Sequence, residues 1–215
     1  KYLLEASFRR DGSSRFGRDN RWGWFPSASA GWRILEESFM KDIRWISELK
    51  LRASYGIAGN NNIGNFASIG TLGAANYITG TGQQKIPGYS PSSFSNTMLG
   101  WEKTTTTDIG LDLGIFRNRL QVAFDYYVAD TKDLLLNVQI PEVTGYTTAL
   151  QNIGKVRNRG VELELTSLNI DKAFKWTSSF NISANRNKVL ELGPDGSPVY
   201  GTNEGYRVTI TQIGK

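Results

Sequence analysis

Residues 107–116, Thr-Asp-Ile-Gly-Leu-Asp-Leu-Gly-Ile-Phe, alternate apolar and polar side chains along most of their length. Successive side chains of a β-strand point to opposite faces, so Ile109 and Leu111 share one face while Asp108 and Asp112 share the other. Ten residues at about 3.4 Å each, tilted by about 45°, rise about 24 Å, close to the apolar band of an outer-membrane barrel. The stretch therefore favours a membrane wall built of strands, although a half-buried strand of a soluble sheet has the same alternation.

The same period of two recurs along the chain in segments of similar length. The further segments are 2–10, 25–34, 49–58, 120–129, 161–168, 176–185 and, in part, 206–213. Their polar positions are rich in Gly, Ser, Asn, Asp and Glu, which suit contact with water better than a packed protein core. We predict an all-β fold, an antiparallel sheet of seven or eight strands with one apolar and one polar face.

The composition supports strands rather than helices as the elements that meet a membrane. Of the 215 residues 39% are hydrophobic, the mean hydropathy is −0.36, and no apolar run approaches the roughly 18 residues that a spanning helix needs. Only every second residue of a barrel strand has to be apolar, so a barrel can have the mean hydropathy of a soluble protein.

The connections between predicted strands alternate between short and long. Residues 117–119 and 169–175 are short links, whereas 11–22, 59–100 and 130–160 are long. Outer-membrane barrels have short periplasmic turns and longer external loops, so this alternation supports the same interpretation.

Residues 35–48 break the alternating pattern and predict a short amphipathic helical turn, which we place on the periplasmic side. Aromatic residues cluster near predicted strand ends. This placement favours an interfacial girdle, while capping of a sandwich core is the alternative. These aromatic residues are Trp22, Trp24, Phe25, Trp32, Trp101, Phe116 and Trp176.

The residue inventory argues against an enzyme and against a cofactor. The chain has no Cys and no His, which removes thiol chemistry, Cys- or His-based zinc sites and every nucleophile–histidine pair. Paired carboxylates such as Glu162 with Glu164 have a spacing compatible with hydrolysis, but carboxylates facing a watery lumen explain them better. The net charge of +5 is interspersed with acidic residues and accompanies no recognisable nucleic-acid motif, so we expect no nucleic-acid partner.

An arginine-rich segment is the strongest charge feature. One interpretation is contact with lipopolysaccharide phosphates, which guanidinium groups recognise with forked geometry; the other is a loop held by its own Arg–Asp pairs near the barrel rim. Its residues are Arg9, Arg10, Asp11, Arg15, Arg18, Asp19 and Arg21.

The connection 59–100 is the best candidate for contact with a ligand. It is long and rich in Gly and Asn, and long loops without secondary structure are commonly functional or disordered. Its aromatic residues could stack on sugar rings or peptide side chains, or could pack the loop against its neighbours, which is the reading we favour for most of them. They are Phe66, Tyr77, Tyr89 and Phe94.

Several motifs closely resemble those of the SusC/RagA family of TonB-linked outer-membrane transporters, and the similarity runs nearly end to end. They are Leu-Glu-Ala-Ser-Phe-Arg-Arg-Asp-Gly-Ser-Ser-Arg-Phe-Gly at 4–17, Trp-Phe-Pro-Ser-Ala-Ser-Ala-Gly-Trp-Arg at 24–33, Leu-Lys-Leu-Arg-Ala-Ser-Tyr-Gly at 49–56 with Gly-Asn at 59–60, Trp-Glu-Lys-Thr at 101–104, Asp-Tyr-Tyr at 125–127, Asp-Leu-Leu-Leu at 133–136, and Asn-Ile-Gly-Lys-Val at 152–156 with Asn-Arg-Gly at 158–160. Residues 60–98 and 193–206 are the least family-like.

The resemblance implies a Gram-negative outer-membrane location and a 22-stranded barrel blocked by an N-terminal plug. It implies a SusD-like surface lipoprotein as a lid, TonB as the energy source, and oligosaccharides or oligopeptides as cargo. Residues 1–215 are similar to a central-to-late portion of such a barrel, without the plug, the TonB-binding segment or the terminal strands. TonB would thus act through the missing N-terminal part, and outer-membrane lipids would surround the wall.

On this interpretation the polar face lines the water-filled interior or contacts the plug. The lumen-facing residues would be Glu5, Arg9, Lys50, Arg52, Asp108, Asp112, Asp125, Glu162 and Glu164. Two alternatives are a small, self-contained structural or adhesive outer-membrane barrel and a soluble β-sandwich carbohydrate-binding module. In isolation we expect a curved, open sheet with two unpaired edges, prone to aggregate.

Overall fold

The computed structural model describes residues 1–193, 196, 198–202 and 208–214 and is dominated by β-strands. The strands are β1 (Tyr2–Gly12), β2 (Trp22–Arg33), β3 (Ile46–Asn60), β4 (Leu72–Ala74), β5 (Tyr77–Thr79), β6 (Gln84–Ile86), β7 (Tyr89–Pro91), β8 (Glu102–Ile115), β9 (Leu120–Lys132), β10 (Leu135–Gln139), β11 (Thr148–Asn152), β12 (Lys155–Asp171), β13 (Lys175–Glu191), β14 (Val199–Thr202) and β15 (Val208–Thr211). Single 3₁₀ turns span Arg18–Asn20, Ile34–Glu36, Ser38–Met40 and Glu142–Thr144.

Seven long strands form one antiparallel sheet in the order β1-β2-β3-β8-β9-β12-β13. Each strand pairs with the next long strand along the chain, as in an up-and-down meander. The predicted all-β antiparallel fold is confirmed. The sheet is open, and within the described residues β1 and β13 are its two edges.

The register places the apolar residues of all seven strands on one face, which we call the apolar face. Leu4 lies opposite Ala30, Ala30 opposite Ala53, and Ala53 opposite Ile109, so the alternation of each strand is in phase with that of its neighbour. The face is uncovered, with Leu4 85% and Phe180 56% exposed. The long strands lie in a single sheet rather than in two stacked sheets, so the β-sandwich alternative is wrong.

The two ends of the sheet differ. One end carries the connections 13–21, 61–101 and 133–154, and we call it the long-loop end; the other carries 34–45, 116–119 and 172–174, the short-turn end. The strands are longer than predicted, and β12 has 17 residues. At about 3.4 Å per residue and a tilt of about 45° such a strand rises about 40 Å, beyond an apolar band of about 25 Å.

The connections are more ordered than the sequence indicates. The segment 59–100, expected to lack secondary structure, contains the paired strands β4-β7 and β5-β6, and the pair β10-β11 lies inside 130–160. Short polar strands without an apolar face give no alternation signal, which is why these pairs were not predicted.

Two further predictions need correction. The helical turn expected over 35–48 is confined to two 3₁₀ turns, and from Ile46 onward the chain already belongs to β3. The partial eighth strand at 206–213 is described from Val208, and Val208–Thr211 pairs with β14 in a separate two-stranded sheet rather than extending the large one. Among the described residues there is no helix long and apolar enough to cross a membrane.

Candidate functional site: the polar face and the long-loop end

The nine residues predicted to face the lumen all lie on one face of the sheet, the polar face. The register carries this face from Glu5 through Ser29 and Ser54 to Asp108. It continues to Asp125 through Gly110, and Glu162 lies opposite Asp125. Arg9, Lys50, Arg52, Asp112 and Glu164 occupy the same face because they stand an even number of residues from these positions.

Arg52 is the centre of a charge cluster that spans three strands of the polar face. Its Nε and Nη2 donate to both carboxylate oxygens of Asp112 at 2.9–3.0 Å. Nη2 also lies 2.9 Å from Oδ1 of Asp125, and Lys50 Nζ lies 3.6 Å from Asp112. The three carboxylate and guanidinium side chains are 25–31% exposed, so the cluster is partly shielded from water and screened less than a fully exposed pair.

Gly110 provides the space that this cluster occupies. It lies directly between Arg52 and Asp125 in the register. A Cβ added there would overlap Asp125 Oδ1 and would lie 2.7 Å from Arg52 Cζ. The guanidinium group therefore crosses β8 over a residue without a side chain, and reaches from β3 to β9.

A groove runs along the polar face beside this cluster. Its volume is about 550 Å³, and Glu5, Lys50, Arg52 and Asp108 are among its lining residues. Carboxylate and ammonium groups of both signs can bind hydrogen-bonding or zwitterionic groups, whether of a cargo or of a neighbouring protein segment. In the part of the chain that the structure describes, no group of three or more acidic side chains is placed to hold a metal ion.

Glu164 lines a second, smaller polar groove of about 260 Å³ together with Asp112. Glu162 lies between Asp125 and Ser183 in the register.

At the long-loop end, aromatic and aliphatic side chains form the largest buried cluster of the described residues. Phe16, Phe25, Ile63, Leu99 and Trp101 are each at most 9% exposed. Phe16 and Phe25 pack on the Trp101 ring with centroid distances of 5.4 and 5.2 Å. Phe25 and Trp101 were predicted as girdle residues. This is wrong, because both are buried in this loop core rather than exposed at strand ends.

The other predicted girdle aromatics are not buried, and several flank the apolar face. Trp24 stacks on Phe8 at 5.2 Å near the long-loop end, and Trp32 stacks on Tyr2 at 6.4 Å near the short-turn end. Eight residues separate the two tryptophans, which is about 19 Å of height at a 45° tilt. This spacing is close to the thickness of an apolar band between two interfacial girdles.

Hydrogen bonds join the three long connections to one another. Arg15 donates to the carbonyl of Asn61 at 3.1 Å, and Trp101 Nε1 donates to the carbonyl of Arg21 at 3.1 Å. Asn152 accepts from the Gly100 amide at 2.8 Å and donates to the Gly100 carbonyl at 2.9 Å. The sequence analysis missed this junction, since side chains from loops far apart in the chain give no periodic signal.

The predicted ligand-contacting aromatics lie beyond this junction. Phe66, Tyr77 and Tyr89 are 57–78% exposed, so the expectation that most of them pack against neighbours is wrong for these three. Phe94 makes an edge contact with Tyr146 of the next long connection at a centroid distance of 5.6 Å. Three rings are thus available to a ligand, and the fourth links two loops.

The arginine-rich segment is used in part within the protein. Arg9 pairs with Asp11 at 2.8 Å, as expected for a loop held by its own charges. Arg10 lies over the rings of Trp22 and Trp24, 4.3 and 4.9 Å from their centroids, and Arg15 is engaged by Asn61. This geometry favours the structural interpretation over lipopolysaccharide contact for these three arginines.

At the short-turn end, Glu37 is held by three donors. Lys1 Nζ lies 2.8 Å from its carboxylate, and Tyr2 OH and Trp32 Nε1 each donate to it at 3.0 Å. The hydrogen bonds from Lys1 and Trp32, followed by that from Tyr2, lower the pKa of Glu37 from 4.5 to about 2. The carboxylate thereby ties the 3₁₀ turns to β1 and β2.

Comparisons with known proteins agree with this geometry. A family model described as TonB dependent receptor-like, beta-barrel matches residues 1–210. The chain is 48% identical over 196 residues to TonB-dependent receptor P39 of Formosa agariphila, which covers 91% of this chain and 18% of that protein. It is 41% identical over 210 residues to TonB-dependent receptor SusC of Bacteroides thetaiotaomicron, covering 93% of this chain and 20% of that protein.

A solved structure, that of the RagAB peptide transporter, is similar with a TM-score of 0.87 and 34% identity, over 99% of this chain and 23% of the solved one. The same assembly in its open-open state matches with a TM-score of 0.85. This chain therefore spans about a fifth of the length of the relatives it matches.

The open sheet, with one apolar and one polar face, is of the class found in the wall of a large outer-membrane-type β-barrel. The chain belongs to the TonB-dependent receptor-like β-barrel family, a family of receptors and transporters rather than of enzymes. The resemblance to SusC/RagA motifs is confirmed by these relatives.

Proposed function

We propose that this chain forms part of the barrel wall of a TonB-dependent importer in the outer membrane of a Gram-negative bacterium. The carrying observation is the division of one open sheet into an uncovered apolar face and a charged polar face. Lipid would contact the first face. The second would line the aqueous interior or contact the plug of the complete protein, with Arg52 and its carboxylate partners exposed to that space.

The complete importer takes up oligosaccharides or oligopeptides together with a SusD-like surface lipoprotein. The names of the relatives support both cargo classes, since one solved neighbour is a peptide transporter and one curated relative is SusC. The exposed rings of Phe66, Tyr77 and Tyr89 are the parts of this chain that we assign to cargo or lipoprotein contact. TonB would act through a segment outside these 215 residues.

The orientation that this function requires can be tested by cysteine labelling, because these 215 residues contain no cysteine. Single cysteines are placed in the full-length protein at Gly82, in the long connection, and at Lys172, in a short turn. Intact cells are then treated with a membrane-impermeant maleimide. We expect labelling at Gly82 and protection at Lys172, with equal labelling of both after lysis. Protection of Gly82 in intact cells, or absence of the protein from the outer-membrane fraction, would contradict the proposal.

Uptake is tested in the same cells with fluorescent oligosaccharides and oligopeptides. We expect import of one cargo class that is lost when TonB or the adjacent surface lipoprotein is deleted. Import that continues without TonB would contradict the assignment.

A further inference from the structure

A band of cations lies on the apolar side of the sheet, where four adjacent strands extend toward the long-loop end. We call this band the basic ladder. It consists of Lys103 on β8, Lys132 on β9, Lys155, Arg157 and Arg159 on β12, and Arg186 and Lys188 on β13.

The register sets these cations directly opposite one another. Arg159 lies opposite Arg186, and Arg157 opposite Lys188. Lys132 lies between Lys103 and Lys155. Directly opposed side chains have Cβ atoms about 5 Å apart, and like charges at that spacing destabilise a sheet unless an anion lies between them.

The protein itself supplies little negative charge to the basic ladder. Asp130 pairs with Arg157 through two hydrogen bonds of 2.7 Å, and within the described ranges it is the only carboxylate within 4 Å of a ladder cation. Glu191 stands opposite Lys155 across a bulge, without an ion pair. Lys103, Lys132, Arg159, Arg186 and Lys188 are exposed.

The basic ladder adjoins the apolar face. The next residues toward the short-turn end on this side are Val161, opposite Ala184, and then Leu163, opposite Ile182. Cations that border an apolar band lie at the depth of lipid headgroups, where Lys and Arg side chains place their charges beside phosphates. The position is therefore suited to a lipid rather than to a soluble anion.

We propose that the basic ladder binds the phosphate groups of lipopolysaccharide in the outer leaflet. The inference rests on the membrane placement and orientation given under the proposed function. Guanidinium groups bind phosphate with forked geometry, and the opposed pair Arg159 and Arg186 presents two of them. The ladder differs from the arginine-rich segment 9–21, where Arg9, Arg10 and Arg15 already have partners within the protein.

The test measures binding of purified lipid A to the full-length protein after removal of co-purified lipid, by native mass spectrometry in detergent. The variant is Arg159→Gln/Arg186→Gln/Lys188→Gln. The matched control removes three charges at the short-turn end, Arg117→Gln/Arg119→Gln/Lys172→Gln. A second arm compares phosphorylated with dephosphorylated lipid A on the unmodified protein, so the result does not depend on folding of the variant.

We expect at least about fivefold lower lipid A occupancy for the ladder variant, since each basic residue near an anionic surface contributes about 1 kcal/mol. The control triple should bind as the unmodified protein does, and dephosphorylated lipid A should bind about as weakly to the unmodified protein as lipid A does to the ladder variant. Equal binding of both lipid A forms, or unchanged occupancy in a folded ladder variant, would overturn the inference. Absence of the protein from the outer-membrane fraction would instead contradict the proposed function itself.

Discussion

Gly110 determines how charge is arranged on the polar face. Arg52 and Asp125 lie on strands that are not neighbours, and their side chains meet because the residue between them has no side chain. A small residue in the middle of a strand thus connects β3 with β9 by a salt bridge. Glycine is conformationally permissive and weakens a strand, so its use here is explained by close approach rather than by a turn.

Replacing Gly110 with alanine should destabilise the full-length protein. The new Cβ would overlap Asp125 Oδ1 and press on Arg52 Cζ, so the bridge must break or the strand must shift, at a cost of about 1–3 kcal/mol. Thermal unfolding in detergent measures the change.

Gly31→Ala is the matched control, since Gly31 lies on the same face and its added Cβ would meet neighbours at 3.5 Å, an ordinary contact. A Gly110→Ala variant as stable as Gly31→Ala would contradict the role assigned to this glycine.

At the scale of the element, alternation predicts which face a residue takes but not where a strand ends. Leu163 and Leu165 mark β12 in the sequence, yet the strand begins at Lys155. In its first turn-ward residues the outward positions are Lys and Arg, so the apolar alternation disappears although the backbone pairing continues. Strand ends beyond an apolar band follow hydrogen bonding alone, and a hydrophobicity pattern cannot reveal them.

The short-turn end predicts an acid-sensitive contact at Glu37. Its pKa of about 2 lies below the ordinary value of 4.5, so the carboxylate stabilises the folded state above about pH 4.5, and this stabilisation is lost as the pH falls toward 2. Glu37→Gln should therefore lower the unfolding temperature at pH 7, and the difference from the unmodified protein should narrow at pH 3.

The comparison is made on full-length protein in detergent, with Glu142→Gln, an exposed carboxyl in a turn, as the control. A difference between Glu37→Gln and the unmodified protein that is the same at pH 7 and pH 3 would show that charge on Glu37 contributes nothing.

At the scale of the whole molecule, the sheet has two edges with unpaired backbone amides and carbonyls, on β1 and on β13. In a bilayer each unpaired group costs free energy, and in water an exposed edge recruits further strands. Residues 1–215 expressed alone should therefore associate in detergent into species larger than a monomer, as sedimentation would measure. A monomeric, closed barrel of these residues would contradict this expectation.

The polar face could be predicted from sequence because its nine charged residues follow a strict alternation with apolar neighbours. The contacts among them could not, since the salt bridge from Arg52 to Asp125 depends on register across an intervening strand. Trp101 shows the same limit. Its position at a strand end predicts a girdle, whereas the hydrogen bond to the Arg21 carbonyl buries it in the loop core.

The junction of the long connections has a consequence for engineering. Phe16, Ile63 and Leu99, with Asn152, hold three separate loops in one cluster. Transplanting a single loop from a relative would leave half of these contacts without partners, so recognition is not modular loop by loop. A chimaera with altered specificity would have to exchange residues 13–21, 61–101 and 133–154 together.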